Sequence, residues 1–309
     1  MTAFGPDISK WQTGIAPAHL GYKFLIARAS IGRAVDSLFG DAAAFATSSR
    51  TPFAGYHFPY PTSSHPAAEQ AAAWNEACAG DRQIRCMIDW ESDGSHAATF
   101  NDAIDVAAAI ESLGYAVTLF YTGTWYWQAQ GRPDLRGLDR RGIGLIIANY
   151  GPNRLGDHDA VYAGRGGDAS SVWSTPVGGV LPTIWQFGSQ VRIGQTTTGQ
   201  PVYGDCNAYR GDDLAKYFTT WHTDPTEDDE MNLYAASHAG GVWIGDGITR
   251  RPIATPEEWN LVVLRSTLGS GPTVRLACGA GDIITSPEQV YACEMTADQL
   301  ATLGTPATP

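Results

Sequence analysis

Short apolar runs bounded by turn residues recur along the first two-thirds of the chain: Phe24–Ala29, Phe53–Phe58, Cys86–Glu91, Ala116–Tyr121, Gly144–Tyr150 and Pro182–Phe187. Each has the length of a strand. Two of the stretches between them have a helical pattern. Ala67–Gly80 is Ala-rich and closes with Gly, and Thr99–Leu113 has an Asn/Asp start, apolar residues spaced by three and four, and Gly114 as a stop. Strand alternating with helix predicts parallel pairing. Adding the D-I-S run at Asp7 and G-D-C-N around Asp205 brings the count to the eight strands of a closed barrel. The expected fold class is therefore α/β, an irregular (β/α) TIM-like barrel, followed by a small C-terminal α+β domain.

Asn153–Gly179 departs from this alternation. It is rich in Gly, Asp and Ser, and reads as a long irregular loop, either a wall of a groove or a passive insertion. The pattern changes again at H-T-D-P-T-E-D-D-E-M, starting at His222, an acidic stretch typical of a linker. The division expected is a barrel over 1–220, a linker over 221–231 and a second domain over 232–309. In that domain Gly241–Ile253 reads as a hairpin turning at Asp246-Gly247, and Thr255-Pro256 reads as the start of a helix.

Within the barrel pattern, acids collect where such folds place their chemistry. Asp7, Asp89, Glu91 and Asp205, with Asn149, fall at or near the ends of the apolar runs, and barrel enzymes act at the C-terminal ends of their strands. In D-W-E at Asp89–Glu91 the two carboxylates stand two residues apart on a strand. They share a face with α-carbons about 6.6–6.8 Å apart, while Trp90 faces the other way. Two such carboxyls cannot both ionise cheaply, so one should keep its proton near neutral pH and serve as an acid. A carboxyl pair about 5–5.5 Å apart is the arrangement of glycosidic cleavage with retention, because it leaves no room for the water of an inverting pair. His57, between Tyr56 and Phe58 on an alternating strand, should be buried and satisfied rather than catalytic.

Composition narrows the partners. The net charge is −12, and residues 223–309 hold 12 acidic against 4 basic groups, so nucleic acid and anionic polymers are disfavoured and a neutral substrate is more natural. No apolar run of about 18 residues is present, and stable membrane insertion is not expected. The N-terminus, M-T-A-F-G-P-D, has no basic stretch followed by an apolar core, so a secretory leader is not expected either. The five cysteines lack CxxC spacing. They read as small buried thiols, with a Cys278–Cys293 bridge possible after release, and neither a metal site nor a cofactor is expected.

Taken in order, D-I-S-K-W-Q at Asp7, Y-H-F at Tyr56, D-W-E at Asp89, Y-T-G at Tyr121, A-N-Y at Ala148, I-W-Q-F at Ile184 and D-C-N at Asp205 resemble glycoside hydrolase family 25, the Chalaropsis-type lysozymes, over about residues 3 to 218. The resemblance implies an irregular β/α barrel that hydrolyses the β-1,4 bond between N-acetylmuramic acid and N-acetylglucosamine in peptidoglycan glycan strands, with retention. By position Glu91 matches the general acid/base, Asp89 its partner, and Asp7 and Asp205 the remaining acids of the pocket. Whether Asp89 attacks carbon or orients the substrate's 2-acetamido group stays open at this level. Beside these motifs, Trp11, Tyr56, Phe58, Tyr121, Asn149, Tyr150, Trp185 and Gln186 are the candidates for holding sugar rings.

Three other readings compete. The acids could ligate Mg²⁺ or Ca²⁺, although the chain lacks the histidines and backbone-rich loops of such hydrolases. A chitinase-like barrel would carry D-x-x-D-x-D-x-E, whereas Ile84–Glu91 has acids only at Asp89 and Glu91. A non-enzymatic wall-binding or virion-associated structural protein would have no physical reason to keep four like charges together. The W-I-G-D-G-I-T-R-R segment at Trp243 is similar to short C-terminal segments of lysins and tail-associated proteins of actinobacterial phages, so the second domain is expected to bind the wall or a partner, or to self-associate. A phage endolysin made in the host cytoplasm and acting on the wall after holin-type release fits this set.

Overall fold

The computed structural model describes residues 2–12, 15, 22–196 and 198–220, together with the backbone of five strands beyond them: β10 (Leu233–His238), β11 (Gly241–Gly245), β12 (Thr249–Pro252), β13 (Val274–Leu276) and β14 (Thr305–Pro306). The chain divides into two compact units, residues 1–221 and 222–309.

The first unit is built on nine strands: β1 (Ala3–Ile8), β2 (Leu25–Ile31), the short β3 (Ala34–Val35), β4 (Phe53–Phe58), β5 (Arg85–Asp89), β6 (Val117–Gly123), β7 (Gly144–Ala148), β8 (Ile184–Gln195) and β9 (Pro201–Tyr209). They pair in the order β1-β9-β8-β7-β6-β5-β4-β2-β3, and a further β1–β2 pairing closes eight of them into a barrel. All eight expected runs are barrel strands. Parallel pairing holds from β1 through β2 and β4 to β8, but fails at the end: β9 is antiparallel to both β8 and β1. The cause is chain length. Only residues 196–200 connect β8 to β9, a hairpin's worth, whereas a parallel crossover needs a dozen residues or more.

Helices α1 (Phe39–Ser49), α2 (Ala67–Ala77), α3 (Phe100–Ser112), α4 (Thr124–Ala129), α5 (Arg136–Arg140) and α6 (His158–Gly164) cover the outside. α3 begins where the sequence predicts. The Thr99 hydroxyl accepts the Asp102 backbone N–H, and the Asp102 carboxylate accepts the Thr99 N–H, so two of the unpaired donors at the helix start are satisfied. Between helices and barrel lies an outer core that includes Trp74, Trp90, Phe120, Trp185 and Phe187. A second cluster fills the barrel itself: Ile26, Ala54, Tyr56, Met87, Leu119, Tyr121, Ile146 and Ile184, with Phe24, Tyr217 and Phe218 plugging the end where the parallel strands begin. The chain after β9 runs across that end, and Thr219 exchanges two backbone hydrogen bonds with Phe53. The opposite end is thereby left as the mouth.

The segment 153–179 is not the irregular loop expected. It contains α6 and two 3-10 turns, and Val161 and Tyr162 of α6 pack into the outer core. Its polar composition belongs to the solvent side of that layer. His57 sits on the outer face of β4, with Nδ1 against the Ser30 hydroxyl at 2.8 Å and Nε2 against Gln70 Oε1 at 3.2 Å. Burial lowers its pKa to about 4, so it is a neutral packing residue. Cys78, Cys86 and Cys206 are free, buried thiols, while the Cys278–Cys293 pair lies outside the described residues.

In the second unit the sheet order is β13-β10-β11-β12-β14. The antiparallel pairing of β11 with β12 flanks the turn expected at Asp246-Gly247, although 246–248, the linker 221–231 and the helix expected from Thr255 lie outside the described residues. No helix among the described residues is long and apolar enough to cross a membrane.

Candidate active site

Strand registers decide which side chains reach the barrel mouth. Asp7 on β1 pairs with Asp205 on β9, and Gly5 with Asn207, so these positions share the inner face. Asn207 pairs with Gln186 on β8, Gln186 with Ala148 on β7, and Ala148 with Gly123 on β6. On the other side of the ring Asp89 pairs with Tyr121, and Met87 pairs with both Leu119 and Tyr56. Asp7, Asp89, Asp205 and, two residues beyond the end of β5, Glu91 therefore converge on one mouth. Asp205 gets there differently from expectation: it lies in the middle of an antiparallel strand, at the level of Asp7, rather than at a strand's C-terminal end.

D-W-E alternates as the sequence predicts. Trp90 is turned outward, fully buried against Phe100, Phe120 and Tyr126, with its indole N–H donating to the Ala98 carbonyl at 2.9 Å. That anchor fixes the two carboxyls on the opposite side. Asp7 accepts from the amides of Asn207 and Gln186, each at 2.7 Å to the same oxygen. The other end of the Gln186 amide accepts from Tyr121 at 3.0 Å and from the Tyr150 hydroxyl. Together the four side chains form a short relay that holds Asp7 still. Asp89 has no such support, and its buried Oδ1 lacks a hydrogen-bond partner among the described residues.

Low dielectric and mutual repulsion act on all four acids. Burial raises the Asp89 pKa well above the usual range, helped by Glu91 and Asp7 and opposed by the Arg28 guanidinium. Asp205 is raised in the same way, by burial, Asp7 and Glu91. Burial also raises Asp7, but its two amide donors pull it back. Glu91 is pushed up to about 7, by burial first and Asp7 second. Near neutral pH Glu91 can thus be found either with or without its proton, as a group that first donates and then withdraws a proton must be.

The candidate sugar-contacting residues divide by face. Trp11 is 77% exposed on the turn after β1 and free to meet a ring. Tyr150 stands at the mouth beside Gln186. Tyr56 is buried in the barrel, Tyr121 is buried at the level of Asp89, and inward-facing Phe58 is buried edge-on to Tyr60, so these three line the pocket rather than form exposed stacking platforms. Asn149 follows β7, and its backbone carbonyl accepts from Trp185 and Arg165. Trp185 corrects the sequence reading. Neighbouring strand residues point to opposite faces. With Gln186 inside, Trp185 is turned outward at 0% exposure in the outer core, where no sugar reaches it.

Two aromatics at the mouth carry no motif. Trp125 opens α4, is 47% exposed, and packs against Tyr150 at 5.5 Å. A Cβ on inward-facing Gly123 would come within 2.4 Å of the Trp125 indole, so the absence of a side chain at 123 lets that indole fold back over the mouth. Tyr203, 37% exposed, follows the same alternation as Asp205 on the extension of β9 beyond the barrel. Its signal is parity with Asp205, which only a fixed register exposes.

The sequence profile of glycosyl hydrolases family 25 matches residues 6–195, a span that contains Asp7, Asp89 and Glu91. The chain belongs to this family. Family 25 membership makes it a glycoside hydrolase of the lysozyme type. Three solved structures share the fold. A muramidase from Trichobolus zukalii is 22% identical, with a TM-score of 0.51 over 71% of this chain and 99% of that one. A muramidase from Acremonium alcalophilum is also 22% identical, with a TM-score of 0.51 over 70% and 97%. The bacterial lysozyme from Streptomyces coelicolor is 19% identical, with a TM-score of 0.51 over 70% and 96%. No curated protein sequence matches the chain. The family 25 match stops at residue 195, before Asp205, so the fourth carboxyl is placed by the register of β9 alone.

Proposed function

We propose that this family 25 enzyme is an N-acetylmuramidase that cleaves the β-1,4 bond between N-acetylmuramic acid and N-acetylglucosamine with retention of configuration. The observation that carries the reading is the buried quartet at the mouth with Glu91 set at about 7. Glu91 gives its proton to the leaving glycosidic oxygen and then takes one from the incoming water. Asp89, next to it, faces the anomeric side. Its unpartnered buried oxygen suits the N–H of the 2-acetamido group, whose carbonyl oxygen then closes on the anomeric carbon; direct attack by Asp89 would retain configuration equally. Asp7, fixed by two amides, supplies negative charge opposite the developing oxocarbenium ion. Trp11 and Trp125 provide flat apolar surface for pyranose rings on the rim.

We read the biological setting as lysis of a host cell by a phage, with synthesis in the host cytoplasm and access to the wall after holin-type release. What supports this is the likeness of Trp243–Arg251 to segments of phage lysins. Mass spectrometry of the products from defined peptidoglycan tests the chemistry. New reducing ends on muramic acid are expected, whereas ends on glucosamine, or none, would overturn it. Expression in a host with and without a holin tests the setting, with lysis expected only when both are present.

A further inference from the structure

Near the acidic mouth lies a cavity of about 590 Å³ lined by several cationic side chains. Its lining comes from the mouth-side parts of four neighbouring strands and the segments that follow them: Lys10 and Trp11 after β1, Arg28 within β2 and Arg33 after it, Tyr60 after β4 and Asp93 after β5. It therefore opens on the same face as Glu91. In a chain with only 20 Lys and Arg against 32 Asp and Glu, three of those cations line this one space, with His65 beside them and a single carboxylate.

The arrangement is built rather than incidental. Arg28 is more than nine-tenths buried and held by a 2.7 Å ion pair from Nε to Asp36, which leaves the outer edge of its guanidinium fork turned to the cavity it lines. Asp36 is itself pinned by the backbone N–H groups of Lys10 and Leu38. The sole lining carboxylate, Asp93, is already committed. It accepts from the Tyr60 hydroxyl at 2.8 Å and from the backbone N–H groups of Ser95 and His96. The Tyr60–His65 loop is tied down by buried Gln70, whose amide bonds the Tyr60 N–H, the Tyr60 carbonyl and the His65 carbonyl. Trp11 and Tyr60 add apolar walls.

The muramyl residue, unlike its glucosamine neighbour, carries an acidic arm. We propose that this cavity binds a carboxylate of that arm, with Arg28 as the fixed donor and Arg33 as the adjustable one, so that the enzyme selects muramyl sugars by charge as well as by shape. This rests on the muramidase reading and names the part of the substrate recognised. The carboxylate can be the free lactyl group of a peptide-free strand or an acid of the stem peptide, since amide linkage to the peptide removes the lactyl charge.

The full-length enzyme is assayed on three substrates: peptide-bearing glycan strands, strands stripped of peptide, and stripped strands whose lactyl carboxyls are converted to methyl amides. Arg33→Met should raise KM about tenfold on a charged substrate with kcat unchanged, and do nothing on the neutral strand. An effect confined to peptide-bearing strands assigns the stem peptide, and one confined to stripped strands assigns the lactyl group; either supports the proposal. Arg33 also pairs with Glu69 at 3.0 Å, so Glu69→Gln serves as the structural control and should leave KM on charged substrates no higher. Equal losses on all three substrates, no loss on any, or the same loss from Glu69→Gln overturn the proposal. A wild-type enzyme that releases no reducing ends from any of them sinks the muramidase reading and this one with it.

Discussion

Glu91 carries the most exact consequence at the scale of single residues. Its folded pKa of about 7 lies above the 4.5 of a free carboxyl, so the native state holds the proton more tightly than the unfolded chain. Stability therefore falls as pH rises from about 4.5 to about 7 and stays lower above that. Glu91→Gln removes this cost. The variant should match the wild type near pH 4, gain on the order of 2 kcal/mol above pH 7 in denaturant unfolding, and keep its far-UV spectrum. Lysis of purified walls should drop at least about 1,000-fold. In the wild type, kcat/KM should decline above about pH 7 as the proton donor empties, measurable as the alkaline limb of its pH profile. Trp125 is the residue test of the rim: Trp125→Ala should raise KM several-fold while unfolding changes by less than about 1 kcal/mol, because nearly half of the side chain is already in water.

At the scale of elements, packing is tight where β1 enters the barrel. A Cβ at Gly5 would lie 2.3 Å from the Phe24 ring and 2.4 Å from its carbonyl oxygen, inside the plug that seals the barrel floor. Because backbone as well as side chain blocks the space, Gly5→Ala should cost about 2–3 kcal/mol, read as a lowered Tm with the activity of the folded fraction retained. Strand and helix periodicity makes most of this layer legible: all eight barrel strands, α2, α3, and the facing of Asp89 against Trp90 follow from spacing, while the Thr99 cap of α3 shows only in the structure. What stayed hidden depends on contacts distant in sequence. Nothing local announces that β9 runs antiparallel, that Trp125 folds back over Gly123, or that Tyr203 shares the face of Asp205. Trp185 was misplaced because a motif groups neighbours that a strand sends to opposite sides. The cavity around Arg28 and Arg33 is hidden for a related reason, since its lining is drawn from a strand and several connecting segments far apart in the chain with no shared pattern.

For the whole molecule, the contrast between the two units sets the test. Residues 1–221 hold the four acids and every described group of the mouth, while residues 223–309 carry 12 acidic and 4 basic groups and a separate sheet. Truncation after Thr223 should leave kcat on soluble muropeptides within about twofold of the full chain. If the second unit holds the wall, retention on sedimented walls falls; if it associates with itself, the elution volume on sizing increases; if neither changes, the unit has no part in either. The barrel's closure has one more consequence. Asp7 belongs to the first strand made and Asp205 to the last, and they meet only when β9 zips against β1. A chain cut short ahead of that seam carries three of the acids without the fourth, so the complete quartet exists only once the ninth strand has been made and paired with the first.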